Sequence, residues 1–442
     1  MGFPAKASAR FCLSLLILLG VCGMAFSMQA PSPTSKAEAL ASTASTDTAT
    51  YHLLPEKYEK AVAYSRAGYR LYFISTFWNI ALILLLLRLG FFSAVRGFAE
   101  SRTPKRRWQA AIVVTCAFGS LALLNLPIRV YWHRLSLHYQ QSVQPWGSWF
   151  RDWGKAELLR LGLAYLVVLL VFGLMHKNAR WWWFQAWLWA IPFTVFLVFI
   201  APLYIDPLFN KFRPLEEKNP QLVDSIVALT NHSGYPIPRS RIFLMDASVN
   251  TNAINAYVTG LGASKRIVVW DTSIQKTKPE ELLYIVGHEM GHYVYHHVLK
   301  GTAFFLVMLL LGLFFAHRLL QWVIAWWGTA WGIREESDWA ALGVLFLLLT
   351  VMGFLAAPIG NAFSRMEEHD ADVYGLEVVQ GLIPNANEVA AHSFQVLGEE
   401  DLDDPSPSKF IVFWLYSHPP LNERLRFAHD FKPSFPDLSA PR

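Results

Sequence analysis

Apolar segments long enough to cross a lipid bilayer recur along this chain and constrain its fold more than any other feature. A helix needs about 20 mostly apolar residues to cross roughly 30 Å of hydrocarbon. Runs of this kind lie at 12–28, 72–93, 109–128, 158–176, 181–204, 303–326 and 340–360. The composition agrees, since 54% of the 442 residues are hydrophobic and only 16% are charged. The sequence therefore predicts a mainly α-helical, multi-pass integral membrane protein with about seven spans.

The first apolar run has two interpretations. Lys6 and Arg10 precede it and small residues follow it, so residues 1–28 are either a signal peptide or a first transmembrane helix. The pattern further down the chain predicts five more regions: a linker and pre-span helix (29–70), a four-span N-terminal membrane domain (71–204), a polar domain with a histidine-rich helix (205–300), a two-span hairpin (301–360) and a returning part of the same polar domain with C-terminal helices (361–442).

Cysteine usage and charge exclude several functions. The three cysteines, Cys12, Cys22 and Cys116, all lie in apolar runs, which argues against both disulfides and a thiolate metal site. The one dense basic cluster, at 102–107, falls between two predicted spans and is typical of a cytoplasmic loop. We therefore expect a lipid bilayer as a partner and no nucleic acid.

The two polar segments have the features of folded protein. A helix is predicted near 220–231, and strands are predicted at 241–245, 255–259 and 265–270, the last of them buried. The hairpin at 301–360 leaves the membrane on the side where it enters. Both polar segments should therefore lie on the same side and form one domain.

A helix is also predicted for the stretch "VGHEMGHYVYHH" at 286–297. Thr277 and Glu280 have the spacing of a capping box, and Pro279 suits a first helical turn. We expect this helix to extend from about 278 to 298.

On that helix, His288 and His292 lie four residues apart and share a face, with Glu289 beside them. This is the His-Glu-x-x-His arrangement, in which two imidazoles bind Zn²⁺ and the glutamate acts as general base. Random ordering of this composition would produce the motif in about 2% of chains, so a structural coincidence is the weaker explanation. Gly291 costs roughly 1 kcal/mol in a helix interior, which suggests that a strand, a substrate or another helix approaches closely there.

A catalytic zinc site has three protein ligands and an open position for water. His296 and His297 are therefore predicted to be solvated or to contact a ligand without binding the metal themselves. A third ligand can come from 364–375 (SRMEEHDADVYG), where Glu368 and Asp372 are i, i+4 neighbours. The pattern alone does not choose the ligand among the carboxylates of this stretch, and a solvated acidic helix face is the alternative.

The chain resembles the membrane-embedded gluzincin endopeptidases typified by CaaX prenyl protease 1, which are related to the heat-shock protease X group. The resemblance covers nearly the whole chain. It rests on HEMGH at 288–292, EHDAD at 368–372, NAYVTGLG at 255–262, SHPPLNER at 417–424 and APLYIDPLFNKFRPLEE at 201–217. It implies a helical barrel in the membrane that encloses a chamber, joined to a gluzincin α+β zinc-peptidase domain.

The resemblance also implies roles for individual residues. It implies one Zn²⁺ per chain, bound by His288, His292 and Glu368, with Asp372 supporting a ligand histidine. Glu289 would be the catalytic base and His418 would stabilise the oxyanion. Arg365 would pair with carboxylates near the site or have a structural role, and the backbone of Asn255, Ala256 and Tyr257 would bind an extended peptide by strand addition.

The expected function is hydrolysis of peptide bonds in membrane-associated or lipidated peptides or proteins. The alternative is a multi-pass transporter or scaffold with a vestigial metal site, although transporters usually have related halves and this chain has no evident repeat. The N-terminus is typical of a bacterial protein, which suggests the inner membrane. Charge bias places the catalytic motifs on the exported side, whereas the resemblance implies the cytosolic side, so the sidedness stays open.

Overall fold

A computed structural model of the chain describes residues 50–260 and 265–433. The helices are α1 (Pro55–Arg88), α2 (Phe91–Arg102), α3 (Arg106–His138), α4 (Trp146–Lys177), α5 (Trp182–Tyr204), α6 (Pro220–His232), α7 (Asp271–Lys276), α8 (Pro279–Val294), α9 (His297–Trp327), α10 (Leu342–Val379), α11 (Ala386–Asp401), α12 (Lys409–Leu415) and α13 (Leu421–Asp430). The strands are β1 (Phe212–Pro214), β2 (Ile242–Met245), β3 (Ala256–Thr259) and β4 (Arg266–Trp270).

Within the described residues, five helices are long and apolar enough to cross a membrane: α1, α3, α4, α9 and the segment Trp339–Val379, most of which is α10. They correspond to five of the seven predicted runs. The run predicted at 181–204 forms α5, whose apolar stretch of Trp182–Val198 is shorter, and the run at 12–28 lies outside the described residues. The prediction of a multi-pass helical membrane protein is confirmed, and seven is an approximate number of spans.

Three membrane helices continue past their apolar runs toward the polar domain. α1 begins at Pro55 rather than near residue 72, α3 ends at His138 rather than near 128, and α4 begins at Trp146 rather than near 158. These extensions contact the polar domain directly. Ser65 Oγ donates to the carbonyl of Leu402 at 3.0 Å, and Gln141 Nε2, just after α3, donates to the carbonyl of Glu400 at 2.8 Å.

The polar domain contains a four-stranded sheet in the order β1-β2-β4-β3. β2 and β4 are parallel, and the outer strands are antiparallel to their neighbours. The predicted helix near 220–231 and the strands at 241–245, 255–259 and 265–270 are confirmed as α6, β2, β3 and β4. β4 is the buried strand that was expected, with four of its five residues buried. β1 was not predicted, because Phe-Arg-Pro is too short to give a period-two pattern.

Close packing of α8 against α10 joins the two polar segments. A Cβ added at Gly291 would lie 3.0 Å from the Cα of Ala371, and one added at Gly375 would lie 3.0 Å from the backbone nitrogen of His288. Small residues at such a crossing let two helix backbones approach each other. The close approach expected at Gly291 is therefore made by a second helix.

The expected helix from about 278 to 298 is confirmed at its start and wrong at its end. Its capping box lies one residue later, because the backbone nitrogen of Lys278 donates to Glu281 Oε2 at 2.9 Å, while Thr277 Oγ1 donates to Ser273 O. The helix ends at Val294. His296 follows with a left-handed φ of 55°, and a separate helix, α9, starts at His297.

Candidate metal centre

Three side chains on α8 and α10 converge on one point. Nε2 of His288 and Nε2 of His292 are 3.3 Å apart. Oε2 of Glu368 lies 3.4 Å from Nε2 of His288, and Oε1 of Glu368 lies 3.9 Å from Nε2 of His292. Across the described residues, these three form the cluster with the composition and spacing to hold a metal ion.

The spacing of this cluster fits a tetrahedral divalent metal. Nitrogen and oxygen ligands about 2.0–2.2 Å from a zinc ion are roughly 3.3–3.5 Å from one another. Two of the three measured separations fall in that range and the third is slightly longer. Oε2 of Glu368 is buried and makes no hydrogen bond within the described part of the chain. A buried carboxylate oxygen without a donor is costly, and a bound cation would satisfy it.

The electrostatics of the two histidines also fit a cation. Burial lowers the pKa of His292 to about 3, so its ring is neutral and a lone pair is available. Burial acts the same way on His288, but the neighbouring carboxylates of Asp372 and Glu368 outweigh it and raise the pKa of His288 to about 9. The pocket thus favours positive charge at His288, and a metal ion can supply that charge in place of the proton.

A buried network of polar side chains contacts His288 on the side of the ring that faces away from the cluster. Its Nδ1 lies 2.8 Å from Oδ1 of Asp372, so its Nε2 faces the cluster. Arg424 contacts both carboxylate oxygens of Asp372, at 2.8 Å through Nε and 2.5 Å through Nη2. Tyr284 OH donates to Oδ1 of the same carboxylate at 3.5 Å. These contacts fix the tautomer and orientation of the His288 ring, as carboxylate partners of metal-binding histidines commonly do.

Glu289 and His418 lie beside the cluster. Glu289 sits between the two histidines on α8 and is partly exposed. His418 is in the turn between α12 and α13, and its Nε2 is 2.9 Å from Oε1 of Glu368. Oγ of Ser417 lies 3.1 Å from Nδ1 of His418. The structure thus brings His418 to the three expected ligands, and Glu289 adjoins two of them along α8.

Arg365 makes different contacts from those expected of a partner for carboxylates. Its Nη1 donates to the backbone carbonyls of Val412, at 3.1 Å, and Tyr416, at 2.6 Å. Carbonyl groups at a helix C-terminus carry partial negative charge, so the end of α12 attracts a guanidinium group. Arg365 therefore anchors the segment that leads to His418, which agrees with the structural alternative.

The predicted peptide-binding strand lies at the edge of the described sheet, but its backbone groups differ from the expectation. Asn255 donates its backbone N–H to Ser273 Oγ and accepts from Trp270 N, so both of its groups are occupied. In an antiparallel pair, residues alternately face the partner strand and face away from it. Tyr257 therefore faces β4, and the outward groups belong to Ala256 and Val258. An added peptide strand would therefore pair with Ala256 and Val258, rather than with Asn255, Ala256 and Tyr257 as expected.

Sequence reasoning missed Arg424 and Tyr284. Arg424 is the last residue of the SHPPLNER stretch. It could have been identified because a buried carboxylate such as that of Asp372 requires a cationic partner. Tyr284 lies one turn before His288 on α8 and gave no comparable signal.

Comparisons with known proteins agree with this geometry. Residues 216–431 match the sequence profile of Peptidase family M48, and residues 39–211 match that of the CAAX prenyl protease N-terminal region, five membrane helices. An uncharacterized metalloprotease of Bacillus subtilis is 35% identical over 374 residues, covering 85% of this chain and 86% of that protein. A CAAX prenyl protease 1 homolog of Dictyostelium discoideum is 33% identical over 276 residues, 61% of each protein.

The fold is also similar to a solved structure. The crystal structure of S. mikatae Ste24p superposes with a TM-score of 0.73, 23% sequence identity and coverage of 96% of both chains. At this identity, the likeness concerns the fold. Together with the sequence matches, it confirms the predicted architecture of membrane helices joined to a metallopeptidase domain.

Proposed function

Because this chain belongs to the M48 family of metallopeptidases, it is an integral-membrane metalloendopeptidase, and we propose that its metal is one Zn²⁺ ion bound by His288, His292 and Glu368. The observation that carries this proposal is the convergence, at ligand-to-ligand distances, of two imidazole nitrogens and a buried carboxylate oxygen that accepts no hydrogen bond from any described residue. Two nitrogen ligands and one oxygen ligand form the donor set typical of catalytic zinc sites.

The remaining residues of the site have separate tasks in the proposed reaction. When bound, the metal polarises the scissile carbonyl and lowers the pKa of a water molecule toward neutrality. The carboxylate of Glu289 accepts a proton from the attacking water and then donates it to the leaving amine. His418, through Nε2, donates a hydrogen bond to the oxygen that becomes negative at the scissile carbon. Asp372 and Arg424 keep Nε2 of His288 directed at the metal.

The proposed substrate is an extended peptide segment from a membrane-associated protein. Such a segment can pair with the outward backbone groups of Ala256 and Val258, because strand addition at a sheet edge supplies hydrogen bonds independent of sequence. β3 packs beside α8, so a peptide bound at this edge would run along the helix that carries Glu289. A lipidated C-terminus is one substrate class this site would take, and an unmodified membrane peptide is the other.

We further propose a bacterial plasma (inner) membrane as the location, on the basis of the membrane helices, the sequence of residues 1–28 and the bacterial relative. The transporter or scaffold hypothesis is not favoured, since the family match and the intact ligand cluster both indicate a peptidase.

Metal replacement tests the zinc proposal. The detergent-purified protein should contain one equivalent of zinc, lose peptide cleavage after treatment with a chelator, and regain it when Zn²⁺ is returned. Full activity that persists after complete metal removal would contradict the proposal.

A matched peptide pair tests the substrate class. One peptide carries a farnesyl group on a C-terminal cysteine, and the other has the same sequence without the lipid. A kcat/KM ratio well above one in favour of the farnesylated peptide would support processing of lipidated proteins. Equal values would assign the enzyme to unmodified membrane-associated peptides.

A further inference from the structure

A third histidine lies directly behind the metal-facing ring of His292. Nδ1 of His297 is 3.0 Å from Nδ1 of His292, and the two rings meet edge to face with centroids 5.0 Å apart. His297 is 4% exposed. The other ring nitrogen of His292, Nε2, faces His288 and Glu368. Each nitrogen of His292 therefore has its own partner.

The contact between the two Nδ1 atoms requires a particular arrangement of protons. A neutral imidazole carries one N–H and one lone pair. If Nε2 of His292 uses its lone pair on a metal, its Nδ1 carries the proton and donates it to Nδ1 of His297. The proton of His297 is then on Nε2, which makes no hydrogen bond to a described residue but lies 4.0 Å from Oδ2 of Asp370. A carboxylate near that nitrogen favours a proton there, so both rings have compatible tautomers.

The break between α8 and α9 creates this contact. In a continuous helix, residues five apart are separated by about 140° around the axis, so His297 would not reach His292. The left-handed backbone of His296, with φ 55°, turns the chain and places the next side chain against the ligand. A left-handed non-glycine residue costs roughly 1–2 kcal/mol. His296 itself is exposed, so its side chain does not account for the turn.

We propose that His297 is a positioning residue for the metal site: its Nδ1 accepts a hydrogen bond from Nδ1 of His292 and so fixes the tautomer and direction of that ligand. Asp372 has the equivalent contact with His288, but through a carboxylate. This inference rests on the proposed metal site and deepens it. Loss of such a partner typically reduces metal affinity about 10–100-fold.

Two substitutions at His297 separate a hydrogen-bonding role from a packing role. His297→Phe keeps the ring volume and removes the acceptor. His297→Asn loses the ring but keeps an acceptor oxygen on Cγ, where Nδ1 is attached. The full-length protein is stripped of metal, and Zn²⁺ affinity is measured by competition with a chromophoric chelator. His296→Asn, at the exposed neighbouring histidine, is the matched control and should bind zinc as the wild type does.

The inference predicts that the Phe variant binds Zn²⁺ about 10–100-fold more weakly than wild type, while the Asn variant stays within a few-fold of it. The reverse order, with Phe near wild type and Asn weak, would assign His297 to packing and overturn the inference. If the Phe variant does not fold, His297→Ala replaces it in the same comparison with Asn. Equal zinc affinities in the wild type and all variants would also overturn the inference. A wild-type protein that binds no zinc would instead refute the proposed function itself.

Discussion

Substituting Gly375 with alanine tests whether the contact between α8 and α10 sets the geometry of the metal site. The new Cβ would lie 3.0 Å from the backbone nitrogen of His288 and 3.1 Å from its Cα. Ordinary van der Waals contact begins at 3.4 Å, so the helices would have to separate by roughly 0.4 Å. Glu368 is on one of these helices and His288 is on the other.

We expect this substitution to reduce zinc affinity more than it reduces the stability of the metal-free fold. Alanine improves helix propensity by about 1 kcal/mol over glycine, while overpacking a tight contact costs about 1–3 kcal/mol. The metal-free fold should therefore be destabilised by about 0–2 kcal/mol. Metal–ligand distances tolerate only about 0.2 Å, which is less than the required separation. We expect zinc affinity to fall about 10–100-fold, as it does when the orientation of a ligand is disturbed.

Gly360→Ala is the matched control, because it makes the same change in the same helix and its added Cβ meets no atom within 4 Å in the described structure. The assay measures zinc affinity by chelator competition and the thermal midpoint of the metal-free protein in detergent. If Gly375→Ala and Gly360→Ala bind zinc equally well, the packing of α8 on α10 does not determine the site and the reasoning is wrong.

Three further predictions concern other contacts. Arg424→Met leaves Asp372 buried without its cation, so it should lower the free energy of unfolding by about 3–5 kcal/mol and release the metal. The thermal midpoint and the metal content measure this, and a stable, metal-loaded variant would contradict it. His418→Ala should lower kcat about 10²–10³-fold while zinc content stays constant, and an unchanged kcat would remove His418 from the proposed reaction. Burial raises the pKa of Asp206 to about 6, although Arg266 opposes the shift. The folded state therefore binds a proton more tightly than the unfolded state, and stability is lost as the pH rises from about 4 to 6. Asp206→Asn should flatten that part of the stability profile and stabilise the protein at pH 7 by about 1–3 kcal/mol, whereas an unchanged profile would show that the carboxyl group does not titrate in this range.

Much of the fold could be predicted from the sequence because membrane spans and buried strands leave strong patterns. The apolar runs in α3, α4, α9 and α10 and the strand KRIVVW were recognisable without any long-range contact. The helix ends could not be predicted in this way. The extensions of α1, α3 and α4 are stabilised by contacts with the polar domain, such as that of Gln141 with Glu400, which lies far away in the sequence.

The features of the candidate site also fall into those that could be predicted from the sequence and those that depend on tertiary structure. His288, Glu289 and His292 follow from local helical spacing, and the resemblance supplied Glu368 and His418. The helix break at His296 was missed because nothing in Tyr-His-His requires a left-handed residue, and the break arises from the tertiary turn into α9. The outward backbone of Val258 depends on strand register, which single-sequence patterns do not determine.

The most direct test of the central claim compares the wild type with Glu289→Gln, a substitution that keeps the size of the side chain and removes its basicity. Both proteins are purified in detergent, their zinc content is measured, and cleavage of a fluorogenic peptide is followed under identical conditions. We predict one equivalent of zinc in both proteins and turnover in the wild type alone. Cleavage by Glu289→Gln at the wild-type rate, or a wild-type protein that cleaves without bound metal, would contradict the claim that this chain is a metallopeptidase with Glu289 as its base.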